Sequence, residues 1–222
     1  MRPETPDTVL LTGFEPFDGD NVNPSWAVAA ALDGWICEGA RVQAVQLPCA
    51  FGAAIEALDD ALKQSRPSLV ICLGLAGGRM EITPERVAVN IDDARIPDNA
   101  GNQPIDLPVV EGAPAAYFSS LPVKAIVHAL RAGGLPASLS NTAGNFVCNH
   151  VFFALMHRLA TWPALARARG GFVHVPCLPE QAARQPGLPS LALTTQVEAL
   201  RRLILTSLTV RTDMRESAGQ IH

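Results

Sequence analysis

No run of Lys or Arg occurs in this 222-residue sequence, and its formal net charge is −4. The electrostatic footprint of a nucleic-acid or anionic-membrane binder is therefore missing. Long hydrophobic runs are missing too. Apolar stretches such as Leu69 to Leu73 and Val151 to Met156 fall far short of a bilayer span, and the N-terminus lacks the charged-then-apolar form of a signal peptide. A soluble, cytoplasmic protein is expected. There is no C-x-x-C spacing: Cys37, Cys49, Cys72, Cys148 and Cys177 are odd in number and scattered, which argues against a disulfide scaffold and against a zinc site. At least one thiol must be unpaired within the chain. Neither G-x-G-x-x-G nor G-x-x-x-x-G-K-[ST] follows a strand, and no metal-ligand cluster is visible, so no cofactor and no metal are expected.

What is present is apolar content: 48% hydrophobic against 17% charged residues, enough for a substantial core at a length suited to one domain over residues 1–222. Thr8 to Gly13, Arg41 to Leu47 and Leu69 to Gly74 read as strands. Helical spacing follows each of the first two, from Asn23-Pro24 to Leu32 and from Ala50 to Gln64. Glu85 to Ile91 is a further strand candidate, with Val87, Val89 and Ile91 on one face. Asp92 to Gly112 is a polar, proline-containing loop without periodicity, a functional or poorly ordered segment. Helical spacing resumes over Val123 to Ala132, Pro136 to Ser140 reads as a short strand, and Gly171 to Val175 as another. Leu191 to Leu208 has the period of a long amphipathic helix with Arg201 and Arg202 toward solvent. The tail from Arg211 to His222 is polar and reads as mobile. This alternation predicts an α/β fold, an open, twisted, mostly parallel sheet with helices on both faces and ligands bound beyond the carboxyl ends of the strands.

The stretch Asn141 to His150, followed by the apolar run from Val151, reads as a Gly/Asn turn opening a helix with Cys148 in its first turn. Unpaired N–H groups and the helix dipole there favour thiolate, which makes Cys148 a candidate nucleophile. The alternative is a small buried hydrophobe, the common fate of free cysteine. A cysteine nucleophile needs a base, usually His, and a group to orient it. His150 and His157 fall on the far side of the helix from Cys148, His128 lies in a surface helix and His222 is terminal. His174 remains, near the carboxyl end of an apolar strand. For the orienting carboxylate the residues leave Glu81, Glu85, Asp92, Asp93 and Asp98 open.

Five blocks resemble the pyroglutamyl peptidase I (pyrrolidone carboxyl peptidase) family of cysteine exopeptidases. They are Thr12 to Gly19 with Asn23 to Trp26, Ala76 to Arg79 with Ile82 to Val87, Asp92 to Asn99, Thr142 to His150, and Gly171 to Pro176 with Leu178 to Gln181. The resemblance implies a Cys148–His174–Glu85 triad that hydrolyses the amide after an N-terminal pyroglutamyl residue through a thioester. It further implies a lactam pocket built from Phe14, Phe17, Ile96, Phe146 and Val147, with Asn23 hydrogen-bonding the ring and Arg95 aiding the oxyanion. Its implied partners are pyroglutamyl peptides and copies of the same chain in a homotetramer. Leu75 stands where most relatives have Gln, and Cys49 where they often have Thr. Leu75 keeps open a related amidase or esterase of altered specificity, or a non-catalytic binding homologue.

Overall fold

The computed structural model describes residues 7–217. Its central sheet has six strands in the order β2-β3-β1-β4-β8-β5. The strands are β1 (Thr8–Phe14), β2 (Ile36–Cys37), β3 (Ala40–Leu47), β4 (Leu69–Leu75), β5 (Thr83–Pro84) and β8 (Arg169–Val175). Pairings β3–β1, β1–β4 and β4–β8 are parallel, and the outer strands β2 and β5 are antiparallel to their neighbours. Strands β6 (Val87–Val89) and β7 (Ala116–Phe118) form a separate two-stranded sheet.

Helices α1 (Pro24–Ala31), α3 (Val123–Ala132) and α6 (Leu193–Thr209) cover one face of the central sheet; α2 (Ala53–Ser65) and α4 (Val147–Thr161) cover the other. A 3-10 turn (Pro163–Leu165) and the short α5 (Pro179–Ala182) complete the elements. Strand parity sorts the side chains. Val9, Leu11, Ile71, Leu73, Val173 and Val175 meet α1, α3 and α6, whereas Leu10, Val70, Cys72 and Phe172 face α2 and α4. Because side chains alternate at a period of two, His174 points to the same face as Phe172, toward α4. β1 and β4 leave the sheet's centre in opposite directions of winding, to β3 and β8, so the crevice beyond their carboxyl ends is the switch point of the sheet.

Three sequence expectations change. The strand read over Glu85 to Ile91 shortens to Val87–Val89, which pairs with β7, while the preceding Thr83–Pro84 pairs separately with β8. Its buried residue is Ala88 rather than its valine neighbours. Pro136 to Ser140 makes only isolated bridges, Ala137 to Ile82 and Ser140 to Glu85. The described part of the polar tail is tied down: the Asp213 carboxylate accepts from the Lys124 and Ala125 N–H groups (3.1 and 2.9 Å) and so caps α3. His222 and the rest of the tail lie outside the described residues. Among the described residues no helix is long and apolar enough to cross a membrane.

Candidate active site

The crevice beyond β1 and β4 holds a cavity of about 510 Å³, lined by Phe14 at the end of β1, Phe17 after it, Cys49 after β3, Leu75 at the end of β4, and Phe146 and Cys148 at the start of α4. Cys177, just past β8, also reaches it. Cys148 alone of the five cysteines has part of its surface open; the other four are buried. Gly74 is what lets the thiol in. A methyl group built at Gly74 would lie 2.8 Å from Cys148 Sγ and 2.7 Å from the Phe172 ring. Gly74 is also the residue of β4 registered against His174 of β8. Neighbouring strands run about 4.8 Å apart, so the glycine brings thiol and imidazole to the same point of the sheet.

His174 Nδ1 lies 2.7 Å from Glu85 Oε1, and Glu85 is fully buried. That bond gives Nδ1 the proton and leaves Nε2 as the basic nitrogen. Phe172 packs edge-on against the imidazole with ring centroids 5.0 Å apart. Two backbone bonds fix the Glu85 segment: its N–H donates to Phe172 O (2.9 Å), and the Arg86 N–H donates to Ser140 O (2.9 Å). The same Oε1 also accepts from Arg79 Nη1 at 2.7 Å.

The site's electrostatics set the resting protonation state. Burial lowers the His174 pKa from its ordinary value, the Glu85 bond and charge oppose this, and Arg79 adds to the lowering. The ring is thus held neutral, as a base requires. Burial pushes the Cys148 thiol up; Cys49 and Glu85 reinforce this, and Arg79 opposes it. The helix start favours thiolate, but burial acts against it, so the thiol needs a base to take its proton. Oxyanion donors come from the same helix start. The first bond within α4 is His150 N–H to Phe146 O, so the N–H groups of its first turn are left for a ligand.

The two residues after Cys148 anchor it. Asn149 is fully buried; its Oδ1 accepts from Val89 N–H (3.0 Å), and its Nδ2 donates to Val89 O (2.8 Å) and Ile91 O (3.0 Å). His150 Nδ1 meets Asp92 Oδ2 at 2.7 Å, while its Nε2 accepts from Gly52 N–H at 3.0 Å. This second imidazole–carboxylate pair ties α4 to the start of α2. Removing the Asn149 amide strands three partly buried backbone groups at about 1 kcal/mol each. Asn149→Ala is therefore expected to lose about 3 kcal/mol of stability, seen as a lower urea midpoint at unchanged m-value.

Of the residues expected in the pocket, Phe14, Phe17, Asn23 and Phe146 line the cavity, with Phe17 and Phe146 in ring contact at 5.3 Å. Asn23 is already engaged: its Oδ1 accepts from Ser25 N–H and Oγ, capping α1, and its Nδ2 donates to Glu15 O. Val147, Ile96 and Arg95 fall outside the lining. Val147 turns inward at the first position of α4 and is 1% exposed, Ile96 is half-buried and Arg95 is exposed on the loop after Asp92. That loop is ordered by its own carboxylates. Burial acts to raise the Asp98 pKa, but bonds donated by Asn102, the Phe51 N–H and the Ala100 N–H outweigh it and hold Asp98 below the usual range. Arg79, quoted in a sequence block but given no role there, is the residue that reading missed; its only signal was the Gly77–Gly78 turn before it. Among the described residues no group of three or more His, Cys, Asp or Glu side chains is arranged to hold a metal.

Comparison with known proteins agrees with this geometry. A family model described as pyroglutamyl peptidase matches residues 7–209. The chain is 60% identical over 215 residues to the pyrrolidone-carboxylate peptidase of Cupriavidus taiwanensis, covering 97% of this chain and 99% of the relative. It is 54% identical to the protein of the same name from Escherichia fergusonii, with the same coverage of both chains (97% and 99%). Its fold matches the crystal structure of pyroglutamyl peptidase I from Bacillus amyloliquefaciens with a TM-score of 0.92 at 44% identity, covering 96% of this chain and 100% of that one. A variant of pyrrolidone carboxyl peptidase from Pyrococcus furiosus matches with a TM-score of 0.87 at 43% identity, over 90% and 98% of the two chains. With a family match across nearly the whole fold and a partly exposed cysteine set beside a buried His–Glu pair, the chain belongs to the pyroglutamyl peptidase I family of cysteine exopeptidases.

Proposed function

We propose that Cys148, His174 and Glu85 hydrolyse the amide bond after an N-terminal pyroglutamyl residue of a peptide. The observation that carries this assignment is the convergence at Gly74 of the Cys148 thiol and the strand position of His174, whose Nδ1 meets Glu85 Oε1 at 2.7 Å. His174 Nε2 takes the thiol proton, and the sulfur attacks the pyroglutamyl carbonyl. The oxyanion forms at the N–H groups of the first turn of α4. His174 then protonates the departing amine, and water, deprotonated by the same imidazole, cleaves the thioester. Glu85 keeps the proton on Nδ1 and stabilises the imidazolium.

A pyroglutamyl group carries no charge, so the pocket selects by shape. Phe14, Phe17 and Phe146 supply flat apolar walls, and Leu75 adds another apolar side chain at the end of β4. An open-chain N-terminal residue would lose hydration against these apolar walls without filling them. Self-association is supported by large exposed apolar side chains, Phe118 at 72% and Met80 at 67% exposure. Five unpaired thiols suit a reducing compartment such as the cytoplasm.

The test is release of a fluorescent amine from a pyroglutamyl amide beside the prolyl amide, which lacks the ring carbonyl and so carries a basic ring amine in place of the neutral lactam N–H. Selective turnover of the pyroglutamyl amide, stopped by stoichiometric alkylation of Cys148, is the expected result. Preference for the prolyl amide, or no turnover by folded protein, would overturn the assignment and turn attention to Leu75.

A further inference from the structure

Glu85 does not serve His174 alone. Its Oε1 accepts from both His174 Nδ1 and Arg79 Nη1, each at 2.7 Å, while Oε2 is buried without a hydrogen-bond partner among the described residues. Arg79 arrives from the turn that leaves β4, where Gly78 takes a φ of +88°. Its guanidinium makes two more bonds, from Nη1 to Thr83 Oγ1 at 2.6 Å and from Nη2 to Thr142 O at 3.2 Å. One side chain therefore joins three segments that the mechanism needs in register. They are the end of β4 with Gly74, the edge segment that carries Glu85, and the loop that leads from Thr142 into the Cys148 helix.

We propose that Arg79 is a positioning residue for the triad: it holds the Glu85 carboxylate so that Oε1 faces His174 and locks that carboxylate to the loop delivering Cys148. The proposal rests on the triad assignment above. Arg79 is absent from the lining of the cavity, so it acts through Glu85 rather than on substrate. A rigid planar fork suits this task, because a guanidinium can meet a carboxylate, a hydroxyl and a carbonyl at once in fixed directions; an ammonium offers a point charge on a flexible stem.

Arg79 also sets charge. The charged groups acting on both His174 and Cys148 are Glu85 and Arg79, and the neutral Cys49 thiol also bears on Cys148. Glu81, the acid nearest in sequence, bonds to the Ser138 hydroxyl. By sharing Oε1, the guanidinium offsets charge that would otherwise fall entirely on the imidazole, so the base is kept from becoming too strongly protonated. The same positive charge favours thiolate at Cys148. Its removal must raise both titrations, since loss of a cation favours the protonated form of every nearby group. The Arg79 side chain is 30% exposed, so solvent screens part of this effect.

The experiment compares Arg79→Met, Arg79→Lys and Arg79→Ala with wild type by two readouts. One is the pH profile of kcat/KM on the pyroglutamyl amide. The other is the pH profile of Cys148 alkylation by iodoacetamide, which does not depend on the identity of the substrate. Arg79→Met is expected to lower kcat by about tenfold to a hundredfold, the scale of a misplacement of up to 1 Å, with KM nearly unchanged. Both profiles should move to higher pH by about half a unit to one unit. Arg79→Lys should restore the profiles but only part of kcat. The outer side of Arg79 opens into a surface cavity of about 520 Å³ that Thr83, Ser140 and Thr142 also line, so added guanidinium should partly rescue Arg79→Ala. Unmoved profiles with only a lower Tm would reduce Arg79 to a structural residue and overturn the proposal. A raised KM at unchanged kcat would overturn it as well, by making Arg79 a substrate contact. If wild type fails on pyroglutamyl amides yet the alkylation profile shifts as stated, the substrate assignment falls and the role of Arg79 stands.

Discussion

Cys148→Ala and His174→Ala are each expected to reduce kcat/KM by about 10⁶-fold, and the double variant to be no worse than either single one. Members of a nucleophile–base unit fail together, leaving only what binding and the oxyanion donors supply. Both substitutions are compatible with folding. Cys148 stands at the cavity with part of its surface open, and loss of His174 leaves Glu85 still paired with Arg79 at 2.7 Å. Glu85→Gln should be milder, about 10⁴-fold, because the imidazole remains but can take the wrong tautomer. Steady-state rates on the pyroglutamyl amide with burst titration of active thiol check the series. Additive losses in the double variant would show that the two residues do not act as one unit.

The pH dependence of this series has a fixed sign. Burial lowers the His174 pKa in the folded chain while Glu85 opposes it. The acid limb of kcat/KM should therefore lie below the ordinary histidine range, near 6.5, and move lower still in Glu85→Gln. The same lowering has a stability counterpart. Between the folded and unfolded values the unfolded chain binds more protons, so the contribution of His174 is complete above the unfolded value and is lost as pH falls through that window.

The α/β alternation was legible because each central strand is a continuous apolar run between glycines and prolines, and each covering helix repeats at its own period. Val123 to Ala132 shows this most simply, since the observed α3 has the same bounds as its sequence pattern. β2, β5 and β7 were not legible, and β6 was legible only as the middle of a longer strand over Glu85 to Ile91. They are two or three residues long, and their pairing is decided by partners distant in sequence. The site divides in the same way. Cys148 and His174 were found from local context, a Gly/Asn turn before a helix and an apolar strand end. Composition could not choose among the carboxylates that follow Gly74, because the choice is a matter of tertiary contact. Glu81 goes to Ser138, Asp92 to His150, Asp98 to the backbone of its own turn and of Phe51, and only Glu85 reaches His174. Arg79 was hidden for the same reason, since Thr142 lies 63 positions away in sequence.

Gly74→Ala is expected to disable the enzyme although every triad residue is kept. A Cβ at this position would sit 2.7 and 2.9 Å from the Phe172 ring and 2.8 Å from Cys148 Sγ, all closer than nonbonded carbon or sulfur tolerates. The Phe172 ring cannot yield easily, because it is fully buried and packs against Phe14, Phe152 and His174 at centroid distances of 6.5, 5.9 and 5.0 Å. Either the sulfur moves away from the imidazole, or the ring moves and takes the imidazole with it. Both outcomes misplace nucleophile against base, and a displacement of about 1 Å costs about a hundredfold in rate. Overpacking should add a loss of about 1–3 kcal/mol in stability. Gly13→Ala separates the two effects: its methyl would meet the Ser25 and Trp26 backbone at 2.5–2.6 Å, damaging the seat of α1 on β1 without touching the thiol. Normalised to the concentration of folded protein, Gly13→Ala should retain most of its kcat and Gly74→Ala should not. Wild-type kcat and thiol alkylation in folded Gly74→Ala would mean that the approach of Cys148 to His174 does not depend on the missing side chain, and the geometric basis of the triad assignment would fail with it.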